Sequence, residues 1–341
     1  QDSLESMISA QTSAECARLW PELAAMGMLG LALPESAGGV GLGLDELMLV
    51  SEIFGKAGAV TPFIATEGMA LPLLAQTPSL RVSEVLPKLT SGEATATVAL
   101  NYSVTAVKSA TGYTLNGTLT QVPAGAVAGF IVALVALQNG SSLVLLDAMN
   151  KGLQCAPYLP DTQNSGADFQ LDEVQINSDA ILASGETAAQ LAASAAAYAR
   201  ILTCADMIGA MSAMLEQTSE YLRTRNQFGR PLAAFQALQH AAVDMYVELE
   251  TARAMLDYAR RMFFADAELR DPALDAAKLK VNRAAKLVSE TAVQLHGGIG
   301  MTLESLTGQL FARITAARVS FGDERACLNR LIKHGASIAL S

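Results

Sequence analysis

The sequence predicts an α+β protein in which a middle β domain separates two helical domains. Two changes in the hydrophobic period carry this prediction. Apolar residues recur at helical spacing up to about residue 94, alternate with polar residues from about Ala94, and return to helical spacing near Thr187. We therefore predict an N-terminal helical domain over 1–94, a middle antiparallel β-barrel or sandwich over 95–185, and a C-terminal four-helix bundle over 186–341.

The N-terminal domain is predicted to contain helices on both sides of a glycine-rich break. Residues 13–29 (SAECARLWPELAAMGML) have amphipathic spacing, and residues 32–43 (ALPESAGGVGLG) interrupt it. Helical spacing resumes over 44–58 (LDELMLVSEIFGKAG), where Gly58 is a helix stop signal.

The middle domain is predicted from segments with β-strand patterning that end near Leu182. They are 95–102 (TATVALNY), 113–122 (YTLNGTLTQV), 129–137 (GFIVALVAL), 141–148 (SSLVLLDA) and 168–177 (DFQLDEVQIN). Within the second segment, Asn116-Gly117 predicts a two-residue hairpin turn, because these residue types tolerate the positive φ angles that such a turn needs.

The C-terminal domain is predicted to contain two long bundle helices. The first carries apolar residues in alternating steps of four and three, at Leu238, Ala242, Met245, Leu249, Ala252, Leu256, Ala259 and Phe263. The second covers 276–295, with Val281, Ala285, Val288, Ala292 and Leu295 on its apolar line. A heptad repeat of this kind is typical of helices that pack in a bundle.

The composition disfavours several classes of function. The net charge of -10 argues against nucleic acid as a partner. The four cysteines and three histidines lack the spacing of a disulfide framework or a metal site, so we expect reduced thiols and a cytoplasmic location. The longest apolar run, 126–137, is shorter than the roughly 20 residues of a membrane span. Charged residues make up only 16% of the chain, which predicts a surface partly covered by partner subunits.

Two segments of the C-terminal domain carry candidate binding residues. Residues 223–240 (RTRNQFGRPLAAFQALQH) concentrate arginine, glutamine, an aromatic residue and glycine between two helices, and residues 294–301 (QLHGGIGM) place two glycines after a helix. Each segment alone is compatible with an ordinary inter-helix turn, punctuated in the first case by Gly229 and Pro231. The alternative is a loop that binds a phosphate-bearing cofactor.

Together with residues 33–46 (LPESAGGVGLGLDE), these segments resemble the acyl-CoA dehydrogenase family, and the likeness covers nearly the whole chain. The resemblance implies FAD as the cofactor, shared between two subunits. The β domain of one subunit would hold the isoalloxazine ring, and the loop and turn of the other would hold the pyrophosphate and adenosine. The implied cofactor-binding residues are Arg225, Gln227, Phe228, Gln236, Gln294, Gly297 and Gly298. Arg225 would contact the pyrophosphate through its planar charged donor fork, and the glycines would permit close approach.

The reaction of that family, α,β-dehydrogenation of an acyl-CoA thioester, needs a carboxylate base. The usual position, directly before a glycine downstream of the GGxG turn, holds Phe321, and the alternative position on the preceding helix holds Arg283. Neither side chain can act as a base. Asp323, Glu324 and Glu290 lie close enough to replace it. We favour structural roles for all three, a helix start for the first two and an ion pair on its own helix for Glu290.

The ring-binding half of the site also departs from the family pattern. Gln121-Val122-Pro123 stands where the family has a Trp-Ile-Thr-like strand, and residues 99–107 (ALNYSVTAV) lack its serine- and glycine-rich loop. The sequence therefore predicts an intact ADP-binding half and a defective ring-binding half.

This combination resembles the shorter, base-lacking subunit of α2β2 acyl-CoA dehydrogenases that act in bacterial steroid and bile-acid side-chain degradation. The implied partners are a catalytic acyl-CoA dehydrogenase subunit, an acyl-CoA substrate and an electron-transfer flavoprotein as acceptor. Dicarboxylyl-CoA esters are an alternative substrate class. Two other readings stay open: a homo-oligomeric dehydrogenase that uses Asp323, Glu324 or Glu290 as its base, and a cofactor-free scaffold relative.

Overall fold

The computed structural model describes residues 18–109, 112–137, 140–158, 165–302 and 305–335. The chain divides into two compact units. One unit joins Gln1–Leu47 to Val60–Ala199, and the other joins Met48–Ala59 to Arg200–Ser341. The domain borders at 94/95 and 185/186 stay a prediction.

The N-terminal region is helical on both sides of a glycine-rich break, as predicted. Its helices are α1 (18–25), α2 (Leu44–Ala57), α3 (Leu71–Ala75) and α4 (Leu80–Thr90). Residues 13–17 of the first predicted helix lie outside the described residues. Gly58, at φ 67°, follows the last residue of α2. Glycine adopts this left-handed conformation without a steric cost, which accounts for the helix stop.

A buried carboxyl group lies in a π-helical segment, Ile64–Ala70, that leads into α3. Glu67 is 1% exposed, and its Oε2 accepts hydrogen bonds from the backbone N–H groups of Gly30 (2.9 Å) and Leu31 (3.2 Å). Its Oε1 has no hydrogen-bond partner among the described groups. Burial raises the pKa of Glu67 to about 7, against the lowering effect of the two N–H donors.

The middle region is a sandwich of two four-stranded sheets. Its strands are β1 (Ala96–Ala99), β2 (Asn101–Lys108), β3 (Gly112–Val122), β4 (Phe130–Leu137), β5 (Gly140–Asp147), β6 (Leu153–Pro157), β7 (Ala167–Asn177) and β8 (Ile181–Ser184). The sheet orders are β1-β4-β5-β8 and β2-β3-β7-β6. All strand pairs of both sheets are antiparallel except β1 with β4, which are parallel. Side chains of both sheets, such as Leu119 and Ile131, share one buried apolar cluster.

The hairpin turn predicted at Asn116-Gly117 is wrong, because both residues lie inside β3. The register of β3 against β7 shifts between Leu115 and Gly117, which marks a β-bulge. The Asn116 side chain accepts a hydrogen bond from the backbone N–H of Glu173 (2.8 Å). Gly117 adopts φ 134°, and a Cβ there would lie 2.0 Å from the carbonyl oxygen of Ser103. The extra residue of the bulge lies in β7, where Asp172 and Glu173 stand opposite Asn116 and Glu173 adopts φ 51°. The residue types that suit a turn therefore face a bulge in the neighbouring strand.

The C-terminal region contains the long helices that the heptad spacing predicts, and shorter ones. They are α5 (Gly185–Thr224), α6 (Gln236–Met262), α7 (Ala267–His296), α8 (Leu306–Val319) and α9 (Glu324–Lys333). In α6 the predicted line is buried from Met245 to Phe263, and in α7 it is buried from Val281 to Ala292. Helix α7 begins at Ala267, earlier than the predicted residue 276.

Helix α5 is long and apolar enough to cross a membrane, but 72% of the residues in its most apolar window are buried inside the protein. Two of its charged residues are paired within the unit that contains Arg200–Ser341, called the helical unit below. Arg200 lies 3.3 Å from the carboxylate of Asp275, and Asp206 accepts a hydrogen bond from Arg313 Nε (3.0 Å). Burial combined with paired charges is the pattern of a core helix of a folded domain.

Candidate functional site

The RNQFG loop forms a minimal β-hairpin between α5 and α6. Strands β9 (Asn226–Gln227) and β10 (Arg230–Pro231) pair antiparallel, and Phe228 and Gly229 form the turn. Both turn residues have positive φ angles, 54° and 76°. This geometry is that of a two-residue hairpin turn, which glycine adopts freely and phenylalanine does not. This hairpin is not predicted from the sequence, because Phe-Gly is not a usual turn pair.

The hairpin presents its charged and aromatic groups to solvent. Arg225 and Gln227 are exposed, and the Phe228 side chain is 88% exposed. The Phe228 ring packs edge-on against Phe235, with 6.0 Å between centroids, and the Arg230 guanidinium lies 4.1 Å from the centroid of Phe235. No described residue pairs with the Arg225 guanidinium. A permanently charged donor fork is thus available to an anionic ligand.

The second predicted segment lies at the C-terminal end of α7. Gly297 follows the helix at φ 66°, and a Cβ at Gly297 or at Gly298 would meet no atom within 4 Å. The Gln294 side chain is exposed and has no hydrogen bond with a described residue. Both glycines therefore border open space into which a ligand can approach the backbone closely.

An aromatic stack brings the ends of α5 and α7 together. The ring of Tyr221, one turn before Arg225, lies 4.7 Å from the ring of His296 at an interplanar angle of 25°. His296 is itself fixed, because its Nδ1 lies 2.8 Å from the carbonyl oxygen of Ala292. The loop and the turn predicted from separate motifs are thus anchored to one stack. Gln236 is the first residue of α6, and it is exposed.

The turn between α8 and α9 carries the residue at the expected base position. Phe321 adopts φ 57° and Gly322 φ 122°. Asn282 Nδ2 donates to the carbonyl oxygen of Gly322 (3.3 Å), and Asn282 Oδ1 accepts from the ammonium group of Lys278 (2.7 Å). The left-handed conformation of Phe321, which is unfavourable for a bulky residue, is therefore held by buried polar groups.

Lys278 supports this turn and was not identified from the sequence. It is fully buried, and its ammonium group also donates to the carbonyl oxygens of Ala317 (3.0 Å) and Arg318 (3.3 Å) near the end of α8. Burial lowers the pKa of Lys278 to about 8. Its position on the apolar side of α7 is the feature of the sequence from which its burial could have been predicted.

The three carboxylates considered as substitute bases have different surroundings. Asp323 is the N-cap of α9 and accepts a hydrogen bond from the backbone N–H of Ala326 (2.7 Å). Glu324 accepts a hydrogen bond from Arg318 (3.1 Å) and lies 3.6 Å from Arg283. Both groups are thus engaged in structural contacts.

Glu290 differs, because it has no ion pair with a described residue. The predicted ion pair of Glu290 on its own helix is absent from the described contacts. Glu290 lines a surface cavity of about 330 Å³ together with Arg283, Lys286, Leu287, Thr291 and Glu324.

The middle region offers few donors at the stretch expected to hold the flavin ring. The backbone N–H of Gln121 donates to Asp168 Oδ1 (2.8 Å), and Pro123 has no N–H. The Gln121 carboxamide oxygen accepts a hydrogen bond from Asn101 (3.2 Å). Two of the three backbone positions in this stretch therefore have no N–H group available to a ligand.

Comparison with known proteins places this chain in a family. Residues 5–93 match "Acyl-CoA dehydrogenase, N-terminal domain", and residues 189–335 match "Acyl-CoA dehydrogenase, C-terminal domain". The acyl-CoA dehydrogenase IpdE2 of Mycolicibacterium smegmatis is 30% identical over 90% of this chain and 84% of that protein. FadE27 of Mycobacterium tuberculosis is 27% identical over 92% of this chain and 86% of that protein.

Two similar solved structures are complexes. The ChsE4-ChsE5 complex from Mycobacterium tuberculosis has a TM-score of 0.86 and 25% identity, covering 99% of this chain and 97% of that chain. The Tcur3481-Tcur3483 steroid ACAD, a G363A variant, has a TM-score of 0.82 and 32% identity, covering 94% of this chain and 88% of that chain.

The chain therefore belongs to the acyl-CoA dehydrogenase family, whose members are FAD-dependent oxidoreductases acting on CH–CH bonds. The α+β architecture predicted from the sequence is confirmed. The exposed, unpaired Arg225 and the open glycine turn fit the ADP portion of FAD. The residues at Gln121–Pro123 fit a hydrogen-bonded flavin ring poorly.

Proposed function

We propose that this chain is the non-catalytic subunit of a heteromeric acyl-CoA dehydrogenase and completes the FAD site of a catalytic subunit. The observation that carries the proposal is Phe321 at the base position, held in a left-handed turn while the adjacent Asp323 and Glu324 are engaged elsewhere. A chain without a base cannot remove the α-proton of the substrate. Its family motifs at 223–240 and 294–301 nevertheless persist.

In this role the helical unit supplies the ADP-binding half of the site. Arg225 would hold the pyrophosphate, Phe228 would pack near the adenosine, and Gln236 would bond the pyrophosphate or ribityl chain. Gln294, Gly297 and Gly298 would add side-chain and backbone hydrogen bonds, and Gln227 lies in the same hairpin. The site would then hold FAD as the acceptor of the β-hydride of the acyl-CoA thioester, and the partner subunit would supply the base.

The relatives support the proposed assembly and substrate. The solved ChsE4-ChsE5 and Tcur3481-Tcur3483 structures are two-protein complexes by name, and the second is a steroid ACAD. They support an α2β2 assembly and a bulky steroid or bile-acid side-chain CoA ester as substrate. Electron-transfer flavoprotein as acceptor and a cytoplasmic location complete the proposal.

A second candidate function rests on Glu290. Because this carboxylate lines a cavity without an ion pair, a homo-oligomeric dehydrogenase that uses it as a base is the competing assignment.

Flavin absorbance separates the candidates. The chain is purified alone and after co-expression with a catalytic acyl-CoA dehydrogenase subunit from the same organism. We expect a colourless chain alone and a yellow, active complex. A yellow and active chain alone would establish the homo-oligomeric enzyme, and colourless protein in both preparations would establish a cofactor-free scaffold.

A further inference from the structure

Two contacts on one face of α5 join the end of that helix to the chain on both sides of the turn 297–301. Tyr221 stacks on His296, which ends α7. Gln217, one helical turn before Tyr221, accepts a hydrogen bond from the hydroxyl of Thr307 (3.1 Å). Thr307 is buried in the first turn of α8. Residues four apart on a helix lie on the same face, so one face of α5 makes both contacts.

The His296 side chain is enclosed by three neighbours. Its Nδ1 donates to the carbonyl oxygen of Ala292 (2.8 Å), because a carbonyl oxygen can only accept. One face of its ring meets the ring of Tyr221. A Cβ at the buried Gly300 would lie 2.9 Å from the Cβ of His296, so the backbone of the turn packs directly against this side chain. The place of the turn therefore depends on the place of His296.

Tyr221 fixes the loop on the other side of the stack. Its carbonyl oxygen accepts a hydrogen bond from the backbone N–H of Arg225 (2.9 Å). The carbonyl oxygen of Arg225 in turn accepts one from the N–H of Leu232 (2.9 Å), which closes the hairpin of β9 and β10. The Tyr221 hydroxyl has no hydrogen bond with a described residue. The ring of Tyr221, rather than its hydroxyl, therefore connects the loop to α7.

We propose that Tyr221 and His296 are positioning residues, whose ring stack sets the separation of Arg225 from the glycine turn and thereby the affinity of the site for FAD. Neither ring needs to touch the cofactor for this role. A dinucleotide held by both segments must match their separation, and ordering the segments on binding costs free energy. The stack reduces that cost because it fixes the separation beforehand. The inference rests on the proposed function, since it concerns the same FAD site.

Two substitutions of Tyr221 test the role of the ring in the co-expressed complex. Tyr221→Leu removes the ring and keeps an apolar side chain, whereas Tyr221→Phe keeps the ring and removes the hydroxyl. We expect FAD affinity to fall about three- to tenfold in Tyr221→Leu, the size expected for the loss of an aromatic pair, and to stay unchanged in Tyr221→Phe. Unchanged affinity in Tyr221→Leu would overturn the proposal. So would equal losses in the two variants, because the hydroxyl would then act on the ligand directly.

Phe264→Leu is the matched control. It removes an aromatic pair with Phe263, with 5.2 Å between centroids, just beyond the end of α6. With 27 residues in α6, this pair lies about 40 Å along the helix from Gln236. We expect the control to leave FAD affinity unchanged. A loss equal to that of Tyr221→Leu would show that any lost ring pair weakens the site and would overturn the positioning role.

Amide hydrogen exchange distinguishes positioning from general stability. It is measured in the complex at saturating FAD, so that loss of cofactor does not contribute. In Tyr221→Leu we expect faster exchange at 223–232 and at 297–302 together, and unchanged exchange in the middle of α6 and α7. His296→Leu removes the other ring and should give the same pattern, also where Tyr221→Leu does not assemble. Faster exchange throughout the helical unit in these variants would assign the rings to stability alone and overturn the proposal.

Arg225→Ala separates failure of this inference from failure of the proposed function. Unchanged FAD affinity in Arg225→Ala would count against the proposed function itself. Weakened affinity in Arg225→Ala with full affinity in Tyr221→Leu would leave the proposed function standing and overturn the positioning role. Because Tyr221 acts through the position of Arg225, the double variant should lose less affinity than the product of the two single losses.

Discussion

Among single residues, Arg225 has the most specific role in the proposed site. Its guanidinium is exposed, has no partner among the described residues, and lies one helical turn beyond the Tyr221–His296 stack. A charged hydrogen bond contributes about 1.5–3 kcal/mol, so Arg225→Ala should weaken FAD binding to the assembled complex by about ten- to a hundredfold. Equilibrium titration with FAD measures the change. Arg223→Ala is the matched control, because Arg223 pairs with Glu220 at 2.9 Å and should leave the affinity unchanged.

The carboxylates near Phe321 provide a second test. Asp323→Asn, Glu324→Gln and Glu290→Gln should each leave most of the dehydrogenase activity of the complex, because the base would come from the partner subunit. General-base catalysis contributes about a hundred- to ten-thousandfold to a rate. A loss of that size in any one variant, with FAD still bound, would identify this chain as the source of the base.

Glu67 gives the protein a pH-dependent stability of predictable sign. Its pKa is about 7 in the folded protein and 4.5 in the unfolded chain. The free energy of unfolding is highest below pH 4.5, where Glu67 is protonated in both states. It falls as the pH rises through 7, because the carboxyl group of the unfolded chain loses its proton at a lower pH than the buried one. The loss amounts to about 3 kcal/mol. Denaturant unfolding across this range should show the decline, and Glu67→Gln should flatten it. An equal decline in the variant would assign the effect to other groups.

Among the helices, the contact between α2 and α5 depends on two glycines. A Cβ at Gly55 would lie 1.9 Å from the carbonyl oxygen of Asp206, and a Cβ at Gly209 would lie 1.9 Å from that of Glu52. The two helix backbones are therefore in direct contact, and a side chain at either glycine would push the helices apart. Gly209→Ala should destabilise the protein by about 1–3 kcal/mol, measured by denaturant unfolding. Gly298→Ala, where a Cβ would meet no atom within 4 Å, should leave stability unchanged. An unaffected Gly209→Ala variant would show that the helices can move apart at little cost.

For the whole molecule, the difference between the proposed ADP-binding and ring-binding halves of the site predicts the number of FAD molecules per complex. In the proposed site, each copy would contribute an ADP-binding half with Arg225 available and a ring-binding stretch in which Gln121 and Pro123 offer no free N–H. A heterodimer would then form one complete site and one incomplete site. The α2β2 complex should contain two FAD, and the isolated chain almost none. Flavin released from a complex of known mass gives the ratio, and four FAD per complex would show that the ring-binding half is functional.

The sequence alone determined the order of helical and β regions and the positions of the long bundle helices. Hydrophobic periodicity is a local property, and it set the apolar lines of α6 and α7 in agreement with their burial. The motifs at 223–240 and 294–301 likewise identified the family before the fold was known. The placement of Phe321 at the position of the family's base stays a prediction from the sequence.

Only the tertiary structure decided features that depend on residues distant in the chain. Asn116-Gly117 favours a turn locally, but pairing with β2 and β7 keeps it inside a strand, opposite a bulge in β7. The partners of the buried Lys278 ammonium are carbonyl oxygens of α8, about 40 residues further along the chain, which local spacing does not predict. The stack of Tyr221 on His296, which unites the loop and the turn, joins side chains on two different helices. Local spacing predicts where a chain is helical or extended, whereas hydrogen-bond partners and burial are set by packing between elements.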